Sequence, residues 1–227
     1  MSNPIALVTG ASRGLGRALA AGLVREGYTL IVDARDEAAL IAAADEDGFA
    51  LAVPGDVTDP GHRAELRQAV EKLGGLDLLV NNAGTLGAHP LPAMADYPVD
   101  ELRTAFEVNV VAPVALTQLL LPALRVRGGA VLNVTSDAAV EPYAGWGGYG
   151  AAKAALEQAS SVLAAEELTV RVWWVDPGDL RTDMHQQAFP GEDISGRPLP
   201  AAVVPGFVRL VTERLPSGRY RAPELIS

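Results

Sequence analysis

"TGASRGLGRALA", residues 9–20, follows the short apolar run "IALVT" (5–9) and reads as a helix from about Gly14 onward. Gly10, Gly14 and Gly16 stand at the turn between the two. Lacking side chains, they let the backbone turn tightly and approach a bound group closely. The positive end of the helix that follows favours an anion at that point. A plain tight turn would use glycine as well. Here, however, the turn follows the first strand, opens a helix and leads to a second strand about twenty residues on, the arrangement of a dinucleotide-binding βαβ unit.

The alternation continues along the chain. Apolar runs at "TLIVDA" (29–34), "FALAV" (49–53), "LDLLV" (76–80), "AVLNVT" (130–135) and "VRVWWV" (170–175), with a weaker seventh at "GRYRA" (218–222), are separated by helical patterns. These patterns fall at about 14–26, 36–44, 60–73, 99–125, 149–166 and 200–214. Continuous apolar strands with helices between them predict a parallel sheet covered on both faces. The expected fold is therefore α/β: a single-domain, Rossmann-type, doubly wound sheet of about seven strands, spanning 1–227. Its ligand crevice should lie beyond the carboxyl ends of the strands. No linker or repeat is visible. Residues 183–199, "DMHQQAFPGEDISGRPL", read as one long irregular stretch, a candidate lid over a substrate.

Composition removes several classes. The chain has 227 residues, no cysteine and a net charge of −10. Disulfides and cysteine nucleophiles are excluded, and a reducing, cytoplasmic setting is expected. No Lys/Arg stripe is present, which argues against nucleic acid and anionic membranes as partners. No apolar run approaches the eighteen or so residues of a membrane span, and no secretory signal is visible at the N-terminus. The histidines, His62, His89 and His185, are scattered without metal-ligand spacing, so no metal is expected.

Two polar turns mark later strand ends. "GDVTD" places Asp56 and Val57 after the third strand, where the carboxylate can meet an adenine amino group and Val57 its ring; a helix cap is the competing role for the aspartate. "NNAG" (81–84) follows the fourth strand and by itself reads as a turn. Tyr149 and Lys153, in "YGAAK", are four residues apart and so share a helix face. A nearby ammonium stabilises a phenolate and would lower the tyrosine pKa towards a working range. Gly150, Ala151 and Ala152 between them are small, which would leave room for a cofactor.

"TGASRGLG", "NNAG", Asn109 in "FEVNV", Ser136, "YGAAK" and "DPGDLRT" occur in this order and at spacings that resemble the short-chain dehydrogenase/reductase family in its compact form. The resemblance runs from about residue 4 to 184. It implies a catalytic set of Asn109, Ser136, Tyr149 and Lys153. Tyr149 would exchange a proton with the substrate oxygen and Ser136 would hydrogen-bond that oxygen. Lys153 would hold the nicotinamide ribose, and Asn109 would help hold a water linking Lys153 to solvent. It further implies cofactor contacts from Gly10, Ser12, Arg13, Gly14, Leu15 and Gly16, from Asp56 and Val57, and from Asn82, Ala83 and Gly84. Tyr149 and Lys153 would touch the cofactor too, and Pro177, Gly178, Leu180 and Thr182 would frame its nicotinamide. The implied activity is hydride exchange between a nicotinamide cofactor and a carbonyl/alcohol pair on a small molecule. A non-catalytic dinucleotide-sensing module would not need the four-residue set. An epimerase or dehydratase of the longer relatives would carry a larger substrate domain and a differently spaced glycine motif.

The cofactor choice depends on the end of the second strand. NAD-preferring relatives resemble one another in an Asp at the position occupied here by Ala34, whereas Arg35 and Arg13 stand where NADP-preferring relatives place basic residues. Two guanidiniums favour a 2′-phosphate over a hydroxyl. Asp33 would oppose this if it turned towards the ribose, but adjacent strand residues face opposite ways. NADP(H) is expected over NAD(H), which remains possible. The abbreviated tail favours a homodimer through helices 99–125 and 149–166, with a tetramer as the alternative. Trp173 and Trp174 are expected in the core or an interface. Asp137, Glu141, Tyr143 and Trp146 lie in a segment that, by the resemblance, borders the substrate pocket; the two carboxylates are either solvated charges or an acidic rim that would favour polar or cationic substrates.

Overall fold

Successive residues of each strand divide between two hydrophobic cores, as side chains of period two must. In β1 (Ile5–Val8), Ala6 and Val8 join one core while Ile5 and Leu7 join the other. The computed structural model describes residues 3–226; Met1, Ser2 and Ser227 lie outside the described residues. The remaining strands are β2 (Thr29–Ala34), β3 (Leu51–Pro54), β4 (Leu78–Asn81), β5 (Ala130–Val134), β6 (Arg171–Asp176) and β7 (Gly218–Arg221). They form one sheet in the order β3-β2-β1-β4-β5-β6-β7, every pair parallel. The order reverses between β1 and β4, which opens a crevice at their carboxyl ends. The seven expected strands are all present, each within about two residues of its apolar run.

The helices are α1 (Gly14–Arg25), α2 (Glu37–Asp47), α3 (Pro60–Leu73), α4 (Val99–Phe106), α5 (Ala112–Arg127), α6 (Gly147–Glu166), α7 (Asp183–Ala188) and α8 (Val204–Thr212). Helices α1, α2 and α8 cover one face through residues such as Leu19, Leu40 and Phe207. On the other face lie α3, α5 and α6, with Leu66, Leu116, Leu120 and Leu163. Asp59 caps α3 through the Gly61 amide, with Pro60 at the first helical position, where its missing N–H costs nothing. Trp173 is fully buried and its Nε1 donates to the Leu215 and Pro216 carbonyls, the core role expected of it; Trp174 is half-buried.

Three expectations need correction. Residues 183–199 are not irregular throughout, because Thr182 accepts the His185 amide and starts α7 inside that stretch. The helix expected at 200–214 is a 3₁₀ turn at Pro200–Ala202 followed by α8, since the prolines at 200 and 205 divide it. Val99–Arg127 form a continuous helix that is long and apolar enough, by length and composition, to cross a membrane. The helix was expected at 99–125, but not its passing that test, because no single apolar run within it is long; its stripe Leu116, Leu120 and Leu124 is buried against the sheet.

Candidate active site

A crevice of about 1380 Å³ runs along the carboxyl ends of the strands, from Arg35 and Asp56 at one end, past the glycine turn, to Ser136, Tyr149 and Lys153 at the other. Every residue expected to touch a cofactor lines it. Asn109 does not. It lies buried behind Gly84, where a β-carbon would stand 2.8 Å from Asn109 Oδ1.

The glycine turn is shaped by what stands behind it. Gly10 has φ +67°, and a β-carbon there would come within 2.9 Å of the Ala83 Cα. A β-carbon on Gly16 would lie 2.3 Å from the Gly10 carbonyl oxygen. Asn82 fixes the turn, its Nδ2 donating to the carbonyls of Thr9 (2.8 Å) and Gly10 (3.2 Å). Thr9 Oγ1 in turn accepts the amides of Asn82 and Ala83. No side chain caps the N-terminus of α1. Its first amides therefore remain for an anion at the crevice, and the close-approach glycines leave space for it. These features fit a dinucleotide pyrophosphate.

The Asp33 carboxylate is spent elsewhere. Period two turns Asp33 to the α3 face, opposite Val32 and Ala34. There its Oδ1 accepts the Gly10 amide at 2.9 Å and its Oδ2 lies 3.0 Å from His62 Nε2. Its side chain is 1 % exposed, so it is not presented to a ribose. Arg35 is exposed at the crevice and makes no hydrogen bond or salt bridge among the described residues. Arg13 pairs with Asp183 across the crevice at 3.2 Å. Asp56 accepts the amide and hydroxyl of Thr58, and these bonds, with Arg35 nearby, outweigh its burial and lower its pKa. It is not the α3 cap.

At the other end, α6 begins at Gly147, so Tyr149 and Lys153 stand in its first two turns. Both are buried. Lys153 Nζ donates to the Val134 carbonyl at 2.8 Å and sits 5.6 Å from the centre of the Tyr149 ring. Burial lowers Lys153 to about 8. Burial, then the charges of Asp176 and Asp137, push the Tyr149 phenol up, and the neighbouring Ser136 hydroxyl opposes them only partly. The lowering expected from the ammonium is therefore absent in this geometry: Nζ is desolvated, bound to a carbonyl and placed over the ring.

The small residues between them also have a different purpose from the one expected. None of Gly150, Ala151 and Ala152 lines the crevice. A β-carbon on Gly150 would lie 2.5 Å from the Ala138 carbonyl oxygen, and one on Gly148 would lie 2.2 Å from the Tyr97 ring. Gly150 lets α6 press against the turn that carries Ser136, and Gly148 makes room for Tyr97. Asn109 sits in a π-helical turn, Glu107–Val111, between α4 and α5. Its Nδ2 donates to the Thr85 and Ala105 carbonyls and its Oδ1 accepts the Thr85 amide. It thereby ties the helix to the segment after "NNAG".

Gly178, at φ +71°, turns the chain after β6, with its amide held by Asp176 Oδ1 at 2.8 Å. Pro177 lines the crevice beside it, Leu180 packs into the core, and Thr182 caps α7. Asp137 lines the crevice, accepting from Ser136 Oγ (3.0 Å) and the Tyr143 hydroxyl (3.1 Å). Glu141 is exposed and does not line it, so the expected pair of rim carboxylates reduces to one. Trp146 meets Tyr149 edge-on and, with Phe189 and His185 from the far side, forms an aromatic wall. Two supports were missed from sequence. One is His62 behind Asp33. The other is Arg219 on β7, which holds Glu157 and donates to the Ser136 carbonyl. Neither position carries a local motif.

A family model described as short chain dehydrogenase matches residues 4–193. A sepiapterin reductase of Meriones unguiculatus is 38% identical over 201 residues, covering 81% of this chain and 77% of that protein. A rhamnolipids biosynthesis 3-oxoacyl-[acyl-carrier-protein] reductase of Pseudomonas aeruginosa is 38% identical over 181 residues, covering 73% and 68%. The crystal structure of a short chain dehydrogenase from Shigella flexneri complexed with NADP superposes with a TM-score of 0.92 at 31% identity, covering 98% of both chains.

Proposed function

Because the chain belongs to the short-chain dehydrogenase family of NAD(P)-dependent oxidoreductases, we propose that it reduces a carbonyl on a small molecule to the alcohol with NADP(H), Tyr149 acting as the acid. One observation carries the reading. Ser136, Tyr149 and Lys153 line one end of a crevice whose other end carries Arg35 and whose middle is the glycine turn. The NADP complex of the Shigella protein supports the cofactor choice. The bound cofactor supplies hydride. Gly10 and Gly16 let its pyrophosphate approach the backbone, the α1 amides receive that charge, and Arg35 and Arg13 favour a 2′-phosphate. Lys153 orients a ribose hydroxyl.

The raised phenol pKa suits an acid, because Tyr149 stays protonated and can donate to an oxygen that gains charge. Ser136 donates to the same oxygen once its bond to Asp137 is exchanged for the substrate. Asp137 and the aromatic wall of Trp146 and Phe189 suit a carbonyl attached to a planar group that bears N–H donors. The sepiapterin reductase relative makes such heterocyclic ketones the first substrates to try, with acyl-thioester ketones second. The test follows NADPH consumption by absorbance with both classes for wild type and Tyr149→Phe. Loss of about a hundredfold or more in kcat, with NADPH affinity within about twofold, is expected. Retention of most of the activity by the Phe variant would refute the role of Tyr149. As in the sequence, a homodimer through α4–α5 and α6 is proposed.

A further inference from the structure

His62 on α3 is buried, 4 % exposed, and makes no part of the crevice wall. Its ring fills the space left by Gly55, where a β-carbon would stand 2.2 Å from Nδ1. Its Nε2 meets Asp33 Oδ2 at 3.0 Å. Asp33 holds the glycine turn twice, by its carboxylate to the Gly10 amide and by its carbonyl to the Ala11 amide (2.8 Å). His62, one residue behind the wall, is therefore coupled to both the turn after β3 and the glycine turn. The charged groups facing it are Asp33 from β2, Asp56 from the turn after β3 with Arg35 beside it, and Glu65 from its own helix, 3.7 Å from Nδ1. Nδ1 itself has no hydrogen-bond partner among the described residues.

We propose that His62 is a specificity-determining residue for the cofactor: protonated, it cancels the buried Asp33 charge near Arg35; neutral, it leaves a net negative charge that opposes a 2′-phosphate. A ribose hydroxyl carries no charge and is nearly indifferent to the change. The proposal rests on the NADP(H) reading above. Burial disfavours the imidazolium, but the hydrogen bond and charge of Asp33, with Glu65 adding, outweigh it and raise His62 above its ordinary pKa. Burial also pushes the Asp33 carboxyl up against its bonds from His62 and Gly10, so the pair is neutral while it shares one proton and turns negative when that proton leaves. The cancellation is therefore present below that raised value and is lost as pH rises through it.

The experiment titrates NADPH and NADH separately by nicotinamide fluorescence, from about pH 7, where the 2′-phosphate is already largely doubly ionised, to about pH 9.5, where the raised His62 is expected to have lost its proton. Lys153 titrates in this range too, but it acts on both cofactors alike and cancels in the ratio of the two Kd values. In wild type that ratio should move towards NADH by about threefold or more. His62→Gln, which keeps a donor for Asp33 without a charge, should give a flat ratio at the wild-type alkaline value. Asp33→Asn, whose Oδ1 can still accept from Gly10, should give a flat ratio at the acid value. A flat wild-type ratio, or a slope that survives in either folded variant, overturns the role of His62. Wild type preferring NADH at every pH overturns the cofactor reading itself, so the two failures are distinguishable.

Discussion

Arg219 on the edge strand β7 lies 3.0 Å from the Glu157 carboxylate on α6, and the same guanidinium donates to the Ser136 carbonyl at 3.3 Å. Glu157 also accepts the Thr135 hydroxyl at 2.8 Å. One cation thus ties β7, α6 and the end of β5 together directly behind the serine. The pair is mostly buried, so removing the cation leaves an under-compensated carboxylate, at a cost of about 1–3 kcal/mol. Arg219→Met should lower kcat about tenfold, with the NADPH Kd within about twofold, because the glycine turn lies far along the sheet. Arg219→Lys should recover part of the rate. An unchanged kcat in a variant of lowered melting temperature would show that the tie serves stability alone.

Gly150 tests how closely α6 must approach the Ser136 turn. An added methyl meets the Ala138 carbonyl at 2.5 Å, a backbone atom that can yield only by moving the turn. Gly150→Ala should separate Ser136 from Tyr149 and reduce kcat by about ten- to a hundredfold, since a misplacement of about 1 Å has that effect. NADPH binding should persist. Helix propensity predicts the opposite sign for stability, a gain of up to about 1 kcal/mol. A variant that is more stable and fully active would show that α6 has slack.

The fold and most of the crevice were legible because their signals are local. A glycine turn after a strand, "NNAG" after another, and Tyr149 and Lys153 on one helix face all lie within a few residues of one another. What stayed hidden depends on pairs far apart in the chain. Asp33 and His62 are 29 residues apart, and Glu157 and Arg219 are 62 apart. The smallness of Gly150 was visible, but its reason, the Ala138 carbonyl, belongs to a neighbouring turn. The lowering expected for Tyr149 fails for the same cause: spacing fixes a face shared with Lys153, but desolvation by the surrounding core sets the pKa directions.

Lys153 should show a conflict between stability and function. Its pKa falls from 10.5 to about 8 on folding. The depressed group opposes folding fully below about pH 8. That opposition is relieved as pH rises from about 8 towards 10.5, and it vanishes once the lysine is neutral in both states. The shift corresponds to about 3 kcal/mol at neutral pH, and loss of the Val134 hydrogen bond returns about 1 kcal/mol. Lys153→Met should therefore melt several degrees higher than wild type at pH 7 and be inactive, with weakened NADPH binding. The gain should shrink as the pH approaches 10.5. Equal melting temperatures at both pH values would mean that the ammonium is better solvated than its burial implies.

The two arginines expected at the 2′-phosphate should contribute unequally. Arg35 makes no hydrogen bond or salt bridge among the described residues and stands exposed at the crevice. Arg13 must leave Asp183, which lies 3.2 Å away across the crevice. Both partners are about 70 % exposed, so the pair is worth little, and its loss does not prevent binding. It still subtracts from what Arg13 can give. A hydrogen bond to a charged group contributes about 1.5–3 kcal/mol, and solvation of an exposed phosphate erodes this. Arg35→Ala should accordingly weaken NADPH about tenfold while leaving NADH nearly unchanged, and Arg35→Asp should shift the preference towards NADH. Arg13→Ala should weaken NADPH only about threefold. Asp183→Asn removes the competing carboxylate and should tighten NADPH by up to about threefold, an effect that fades at high salt. Titrating both cofactors against the four variants at low and high ionic strength decides it. A larger loss from Arg13→Ala than from Arg35→Ala would mean that the phosphate is held from the glycine turn and that Arg35 is a solvated charge at the start of α2.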